Sequence, residues 1–237
     1  MRFPSPLISA TLIRRYKRFL ADVTLDGVPD TEDMPVTAHV ANPGKMTGLA
    51  EPGMRVWLER NDDPRRKLRY AWKLVDTGRT LVGVDTGLPN RLVRAALEAH
   101  QVPGLTGYTT VRREVPYGTN SRIDFLLEGP RNIYVEVKSV TLSRQPGLAE
   151  FPDTVTARGA RHLDDLAQVL RDGHRAVLLY VIQRDDCKAY AVADDIDPGY
   201  ARAHATARAA GIEVVALPCA LTPEAVTLRA SPLPQVR

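Results

Sequence analysis

The chain has 237 residues, 44% hydrophobic and 25% charged, a composition that permits a buried core in one large or two small domains and excludes wholesale disorder. No apolar run approaches the roughly 20 residues of a membrane span. Pro4 and Pro6 interrupt the apolar N-terminus, and Cys187 and Cys219 are too few for a disulfide framework or a four-thiolate zinc site, so a soluble cytoplasmic protein without a membrane partner is expected.

The formal charge of +4 is too small to name a partner, but it is unevenly spread. Residues 1–86 hold 14 Lys and Arg against 11 Asp and Glu, while residues 87–237 hold 18 against 17. The first part reads as all-β. Residues 7–25 are strand-forming up to the turn signal Asp26-Gly27, and residues 34–40 follow, closed by Asn42-Pro43-Gly44. Residues 54–58 alternate, and residues 70–75 and 81–84 flank a hairpin loop at Thr77-Gly78-Arg79. Short strands without a long helix predict a small closed barrel; an OB-like one fits the size, and other small barrels fit the periodicity equally well.

Two segments of this part interleave bases with aromatics. One is Arg14, Arg15, Tyr16, Lys17, Arg18 and Phe19; the other is Arg65, Arg66, Lys67, Leu68, Arg69, Tyr70, Ala71, Trp72 and Lys73. Cations neutralise phosphates and aromatic faces stack on bases, so these are the candidate nucleic-acid contacts. The competing account is a solvated barrel exterior whose basic stems cover apolar surface. Gly44-Lys45-Met46-Thr47 lacks the spacing of a phosphate loop and reads as a tight turn.

The pattern changes near Pro89. Asn90 is a plausible N-cap for a helix carrying Leu92, Val93, Ala96 and Leu97, and three strands are predicted at 109–117, 122–127 and 133–142. A helix is predicted from Thr156 to Arg171 on the spacing of Leu163, Leu166, Ala167 and Leu170, with Gly173 as its stop. Residues 176–183 read as a fully buried strand, 200–210 as a helix and 212–217 as another buried strand. The expected fold class is therefore a barrel over 1–86 followed by a mixed-sheet α/β domain over 87–237.

The chemistry concentrates in residues 121–138. Folding that segment symmetrically about Pro130 sets Ile123, Phe125 and Leu127 against Val137, Val135 and Ile133 on one apolar face, a register that a one-residue slip would destroy. Asp124 then lies across from Glu136, and two carboxylates so close repel unless a cation intervenes. Hard oxygen donors on neighbouring strands suit Mg²⁺. Lys138 shares the face of Glu136 and could orient a metal-bound water or stabilise charge on a phosphoryl oxygen. The plain alternative is an exposed ladder in which Arg122 and Lys138 pair with the two acids, worth under about 1 kcal/mol per pair.

Asp124 followed by Glu136-Val137-Lys138 resembles the PD-(D/E)xK nuclease pattern. More specifically, LIRRYKRFLADV, NPGKMTGL, SRIDFLL, YVEVKSVTL, FPDTVTARGARHLDDL and AVLLYVIQRDD resemble the sugar fermentation stimulation protein family. The resemblance implies an OB-type barrel joined to a nuclease-like domain that binds DNA, with RNA an open alternative. It implies Asp124 and Glu136 as ligands of Mg²⁺ or Mn²⁺ and Lys138 as the catalytic lysine. It also implies a further acid from the preceding helix, for which Glu98 is the candidate and Glu114 the rival. From the following helix it implies substrate contacts by Arg158 and His162, with Asp165 on the same face. A solvated helix face competes for that last group. The alternative function is a DNA-binding regulator of sugar-metabolism genes without turnover. Association between copies of the chain is compatible with the sequence and not specified by it.

Overall fold

The computed structural model describes residues 1–27, 34–118 and 121–236. These form two compact units: the first holds Met1–Leu88 with Gln183–Asp186 and Cys219–Thr227, and the second holds the remainder.

The first unit is built on β1 (Ile8–Tyr16), β2 (Leu20–Leu25), β3 (Val36–Val40), β4 (Arg55–Arg60) and β5 (Tyr70–Asp76). Antiparallel pairs join β1 to β2, β2 to β3, β1 to β4 and β4 to β5, and a parallel pair between β3 and β5 closes the circle. This is the closed five-stranded, OB-like barrel expected from the sequence, with β6 (Leu81–Gly83) added beside β5. Alternate residues fill it: Ala10 and Leu12, then Ala21, Val23 and Leu25, then Ala38 and Val40, around the fully buried Trp72.

Residues 7–25 are not one strand but a hairpin. Lys17 and Arg18 turn the chain at φ 48° and 62°, a conformation that Gly or Asn usually signals and that these two residues do not advertise. The β1–β2 register also slips by one between Leu12↔Val23 and Arg14↔Asp22, leaving Ile13 as an extra residue. Such a bulge re-phases the strand beyond it. Arg14 then faces out beside Asp22, and Arg15 falls opposite the fully buried Ala21.

The second unit contains α1 (Leu88–Glu98, from Pro89 onward), β7 (Thr110–Tyr117), β8 (Ser121–Glu128), β9 (Ile133–Val140), β10 (Leu142–Gln145), β11 (Leu148–Phe151), α2 (Ala157–Arg171), β12 (Arg175–Ile182), β13 (Ala189–Val192), α3 (Pro198–Ala209) and most of β14 (Glu213–Leu221). Its mixed sheet runs β14-β12-β9-β8-β7, parallel from β14 to β9 and antiparallel beyond, and β15 (Val226–Leu228) pairs at the edge of β14. Residues 176–182 of β12 are at most 1% exposed, which is why this strand reads as a continuous apolar run. A second, three-stranded sheet, β10-β11-β13, was not foreseen. Its strands are four residues each, too short to establish a period, and β10 is largely polar.

Two helices pack on the mixed sheet through Leu163, Leu166, Val169, Tyr200 and Ala207, against Leu126, Leu178, Tyr180 and Ile182. Their ends are keyed together. The Thr156 hydroxyl accepts from Gly159 N–H at 3.1 Å to cap α2, while the Asp197 carboxylate accepts from Tyr200 N–H at 2.9 Å to cap α3. Asp197 also accepts the Thr156 N–H at 2.7 Å, so one side chain serves both helix starts.

The β8–β9 hairpin sets the site, and its turn depends on Gly129. A Cβ there would lie 2.4 Å from the Gly107 carbonyl oxygen, a backbone atom that cannot swing aside. Gly129→Ala is therefore expected to destabilise the chain by about 1–3 kcal/mol. Denaturant unfolding checks this; a midpoint equal to wild type would show that the turn relaxes at no cost.

Candidate functional site

Asp124 occupies a gap between two ladders. The β7–β8 pairing runs in register from Thr110↔Glu128 to Tyr117↔Ser121 but passes over Glu114 and Asp124, where Glu114 adopts φ 52°. On its other side β8 pairs with β9 at Phe125↔Val135, Leu126↔Tyr134 and Leu127↔Ile133, the register expected from symmetry about Pro130. The Asp124 carboxylate takes up donors at this gap. Val137 N–H donates to Oδ2 at 2.7 Å, and Asn90 Nδ2 donates to Oδ1 at 2.8 Å.

Glu136, on β9, is 3% exposed. Its Oε1 accepts from Lys138 Nζ at 2.6 Å and from His162 Nδ1 of α2. Arg158 Nε donates to His162 Nε2 at 3.2 Å. A ring nitrogen that accepts carries no proton, so the imidazole proton is on Nδ1, pointed at Glu136. The other oxygen, Oε2, is buried and has no hydrogen-bond partner among the described residues.

Charge follows from this geometry. Burial pushes the Asp124 carboxyl up to about 6, the Glu136 charge adds to the push, and Val137 N–H, Asn90 and Lys138 only partly oppose it. Burial also acts to raise Glu136, yet the hydrogen bond from His162, together with the charge and hydrogen bond of Lys138, holds it below its ordinary value. Two acids and one lysine leave an excess of negative charge when both acids ionise. The buried Tyr117 hydroxyl feels the same field: burial raises its pKa, and Glu136, Asp165 and Asp124 raise it further.

The expected residues separate accordingly. Asp124, Glu136 and Lys138 come together, and the Glu136–Lys138 pair is buried rather than an exposed ladder. Arg122 does not pair with Asp124; its Nη1 donates to the Glu114 carbonyl at 2.8 Å. Glu98 is not brought to the site. It lies half exposed at the end of α1, bonded to Arg94, and at 1.5 Å per residue it is about 12 Å along the helix from Asn90. The helix contributes Asn90 instead. Because α1 begins at Leu88, Asn90 lies inside it rather than capping it, and its amide reaches Asp124. Glu114 is exposed. His162 is likewise corrected: at 6% exposure it is a partner of Glu136 and not a surface contact for nucleic acid, whereas Arg158 stays exposed. Asp165 accepts from Ser121 Oγ at 2.5 Å. Among the described residues no three His, Cys, Asp or Glu side chains form a ready-made metal cage.

The basic segments of the barrel divide as well. Arg15 Nη2 donates to the carbonyls of Arg18, Asn42 and Gly44 at 2.8, 2.8 and 3.0 Å, which makes it a clamp on two loops. Arg14 Nε and Tyr16 Oη both donate to Asp22, and Arg65 is forked onto Asp63. Lys17, Arg18, Arg66, Lys67 and Arg69 are exposed, and among the described residues none has a carboxylate partner for its side chain. Strand register brings their loops together. His39 of β3 pairs with Leu20, just after the β1–β2 turn, and with Ala71, just after the β4–β5 loop. Phe19, 46% exposed, stacks on His39 with ring centroids 6.5 Å apart and planes 13° from parallel. His39 was not expected here, because no motif spacing marks it.

These features define a class: an OB-type barrel followed in sequence by a mixed-sheet unit whose β8–β9 hairpin carries a buried Glu, a half-buried Asp and a lysine. Residues 13–84 match the family model described as the SfsA N-terminal OB domain, and residues 87–225 match that of the sugar fermentation stimulation protein RE domain. The chain belongs to the sugar fermentation stimulation protein family. It is 58% identical over 231 residues to a sugar fermentation stimulation protein homolog of Ruegeria sp. (strain TM1040), covering 96% of this chain and 97% of the other. It is 55% identical to the homolog of Rhodospirillum centenum, covering 98% and 100%. A solved structure of Pyrococcus furiosus SfsA in complex with Ca²⁺ superposes with a TM-score of 0.86 at 27% identity, covering 100% of this chain and 98% of that one.

The raised Asp124 carboxyl has a measurable consequence. The folded chain holds this proton more tightly than the unfolded chain, so the penalty is absent below the unfolded value of 3.8 and develops as pH rises through about 6. At pH 8 in chelator, Asp124→Asn is expected to relieve a penalty on the order of 3 kcal/mol, and the gap from wild type should close towards pH 4. Denaturant unfolding across pH reads the effect, and parallel pH profiles for the two proteins would contradict the raised Asp124 carboxyl.

Proposed function

We propose that the chain is a nucleic-acid-binding protein whose second part, residues 87–237, hydrolyses phosphodiesters with a divalent cation, while its barrel, residues 1–86, engages the nucleic acid. The observation that carries the reading is the Glu136 Oε2 atom: buried, without a hydrogen-bond partner among the described residues, and near a second carboxylate whose ionisation its surroundings oppose. A buried anionic oxygen without a donor is costly unless a cation meets it. The donor set fits Mg²⁺ or Mn²⁺. Both ligands are hard oxygens, each Asp124 oxygen retains an unused lone pair, and such ions keep several waters and need few protein carboxylates. The structure of Pyrococcus furiosus SfsA was solved in complex with Ca²⁺, another hard cation, which supports the same reading.

When bound, the cation would supply a water of lowered pKa and charge stabilisation at a phosphoryl oxygen. The chain's own residues do the rest. His162, fixed in one tautomer by Arg158, holds Glu136 Oε1 and so leaves Oε2 for the ligand role. Asn90 and Val137 N–H fix the Asp124 carboxylate in one plane. Lys138, tied to Glu136 at 2.6 Å and mostly buried, carries the positive charge that can orient the attacking water or meet the developing phosphoryl charge. On the barrel, Lys17, Arg18, Arg66, Lys67 and Arg69 supply cations on the β1–β2 and β4–β5 loops, the loops with which OB-folds contact oligonucleotides.

One observation favours a second reading, a DNA-binding regulator of sugar-metabolism genes without turnover. Lys138 pairs directly with Glu136, and both Asp124 oxygens already accept protein donors. Supercoiled-plasmid and single-strand cleavage with Mg²⁺ or Mn²⁺ separates the two. Wild type should cleave, and Asp124→Ala and Lys138→Ala should each lose about 100-fold or more in rate. Equal background cleavage by all three proteins, with binding retained, would leave the regulator. Binding that is indifferent to salt would contradict phosphate neutralisation by the loop cations.

A further inference from the structure

We propose that Phe19 and His39 form a stacking platform for an unpaired nucleobase, so that the barrel takes single-stranded or locally opened nucleic acid. This rests on the reading of the barrel as the nucleic-acid-binding part and specifies which form it binds. Phe19 is a large apolar ring held 46% exposed at a loop tip, beside solvated cations. Its plane lies 13° from that of the exposed His39 ring, with centroids 6.5 Å apart, so two near-parallel rings are presented together. Phe19 also follows directly on Leu20, whose ladder partner is His39, and its carbonyl accepts Val40 N–H at 2.8 Å. The ring is thus anchored by backbone on both sides. An aromatic surface with cations around it matches a strand that offers base faces and phosphates together. A paired duplex hides its base faces in the stack and would use the cations alone.

The turn itself points the same way. Lys17 and Arg18 both hold positive φ, where Gly or Asn would be less strained, so turn geometry does not account for these side chains. Arg15 binds the Arg18, Asn42 and Gly44 carbonyls and keeps this loop against the next one. Register places the β4–β5 loop, with Arg66, Lys67 and Arg69, next to His39 on the side opposite Leu20. The platform therefore has a basic loop on each side, as a strand running across it requires.

The test uses fluorescence anisotropy on the full chain in chelator, so that no cleavage intervenes. The probes are a labelled 12-mer of oligothymidylate, the same length of abasic deoxyribose-phosphate strand, a blunt duplex hairpin, and a 12-mer of oligouridylate to tell DNA from RNA. Wild type should bind oligothymidylate or oligouridylate more tightly than the abasic strand, by between about 5-fold and 150-fold, the range for one base stacked on an aromatic ring. Phe19→Ala should lose that preference, Phe19→Trp should keep it, and neither should alter the slope of log affinity against log salt. His39→Ala provides a second, independent removal of the platform. Equal wild-type affinity for base-bearing and abasic strands, or an unchanged preference in Phe19→Ala, would overturn the platform while leaving salt-dependent binding intact. Failure of wild type to bind any of the four probes at low salt would overturn the nucleic-acid reading itself.

Discussion

A carboxylate removed from water must be met by donors or by a cation, and among the described residues Glu136 meets that requirement on one of its two oxygens. Oε1 is shared by Lys138 and the His162 ring, while Oε2 has neither. The asymmetry is imposed from outside the strand. His162 comes from α2, its tautomer is fixed by Arg158 one turn earlier, and the helix is held on the sheet by Leu163 and Leu166. Asp124 shows the same principle in a different form. The β-ladders around it part at that residue, and its side chain accepts a backbone N–H and an amide. Sheet irregularity and carboxylate placement are one feature here: the gap in pairing is what the acid occupies.

The barrel illustrates how one inserted residue redistributes function. Without the bulge at Ile13, strand alternation would carry Arg15 to the outside and set Arg14 against the interior. With it, Arg15 turns inward to bind three carbonyls and Arg14 turns outward to Asp22. A run of basic residues that looks uniform in sequence is therefore divided into a clamp, a paired surface arginine and a free loop tip. The β4–β5 loop divides similarly, with Arg65 neutralised by Asp63 and its three basic successors solvated.

Much of this was legible in the sequence where a period carried it. The apolar alternation of Ile123, Phe125 and Leu127 against Val137, Val135 and Ile133 gives the register of the hairpin from Phe125 to Ile133. The ladder stops short of Ile123↔Val137 and Asp124↔Glu136, where the Asp124 side chain accepts Val137 N–H. The continuous run of 176–182 identified the buried central strand. What escaped lacked a periodic or compositional sign. The turn at Lys17-Arg18 uses residues that do not announce positive φ, and β10, β11 and β13 are four residues each. Helix starts favour Asn, so the sequence suggests a cap at Asn90, whereas its amide serves a residue 34 positions away. The spacing of His162 from Arg158 sets both on one helix face; spacing reveals which residues share a face, not whether that face is covered. Glu98 followed from resemblance alone, and nothing in its own surroundings recommended it.

The joint role of Asp197 sets a limit on how far the acidic site could be transplanted. That residue caps α3 and binds the Thr156 N–H at the start of α2, so the helix delivering His162 is seated by a side chain 35 positions beyond it. Moving the β8–β9 hairpin to another scaffold would carry Asp124, Glu136 and Lys138 but lose the His162 contact, leaving Lys138 as the one group of this set on Glu136 Oε1. The smallest portable version extends from Asn90 to Tyr200. The short acidic signature is thus the visible part of a heritable block, and a host fold would have to accept the block whole.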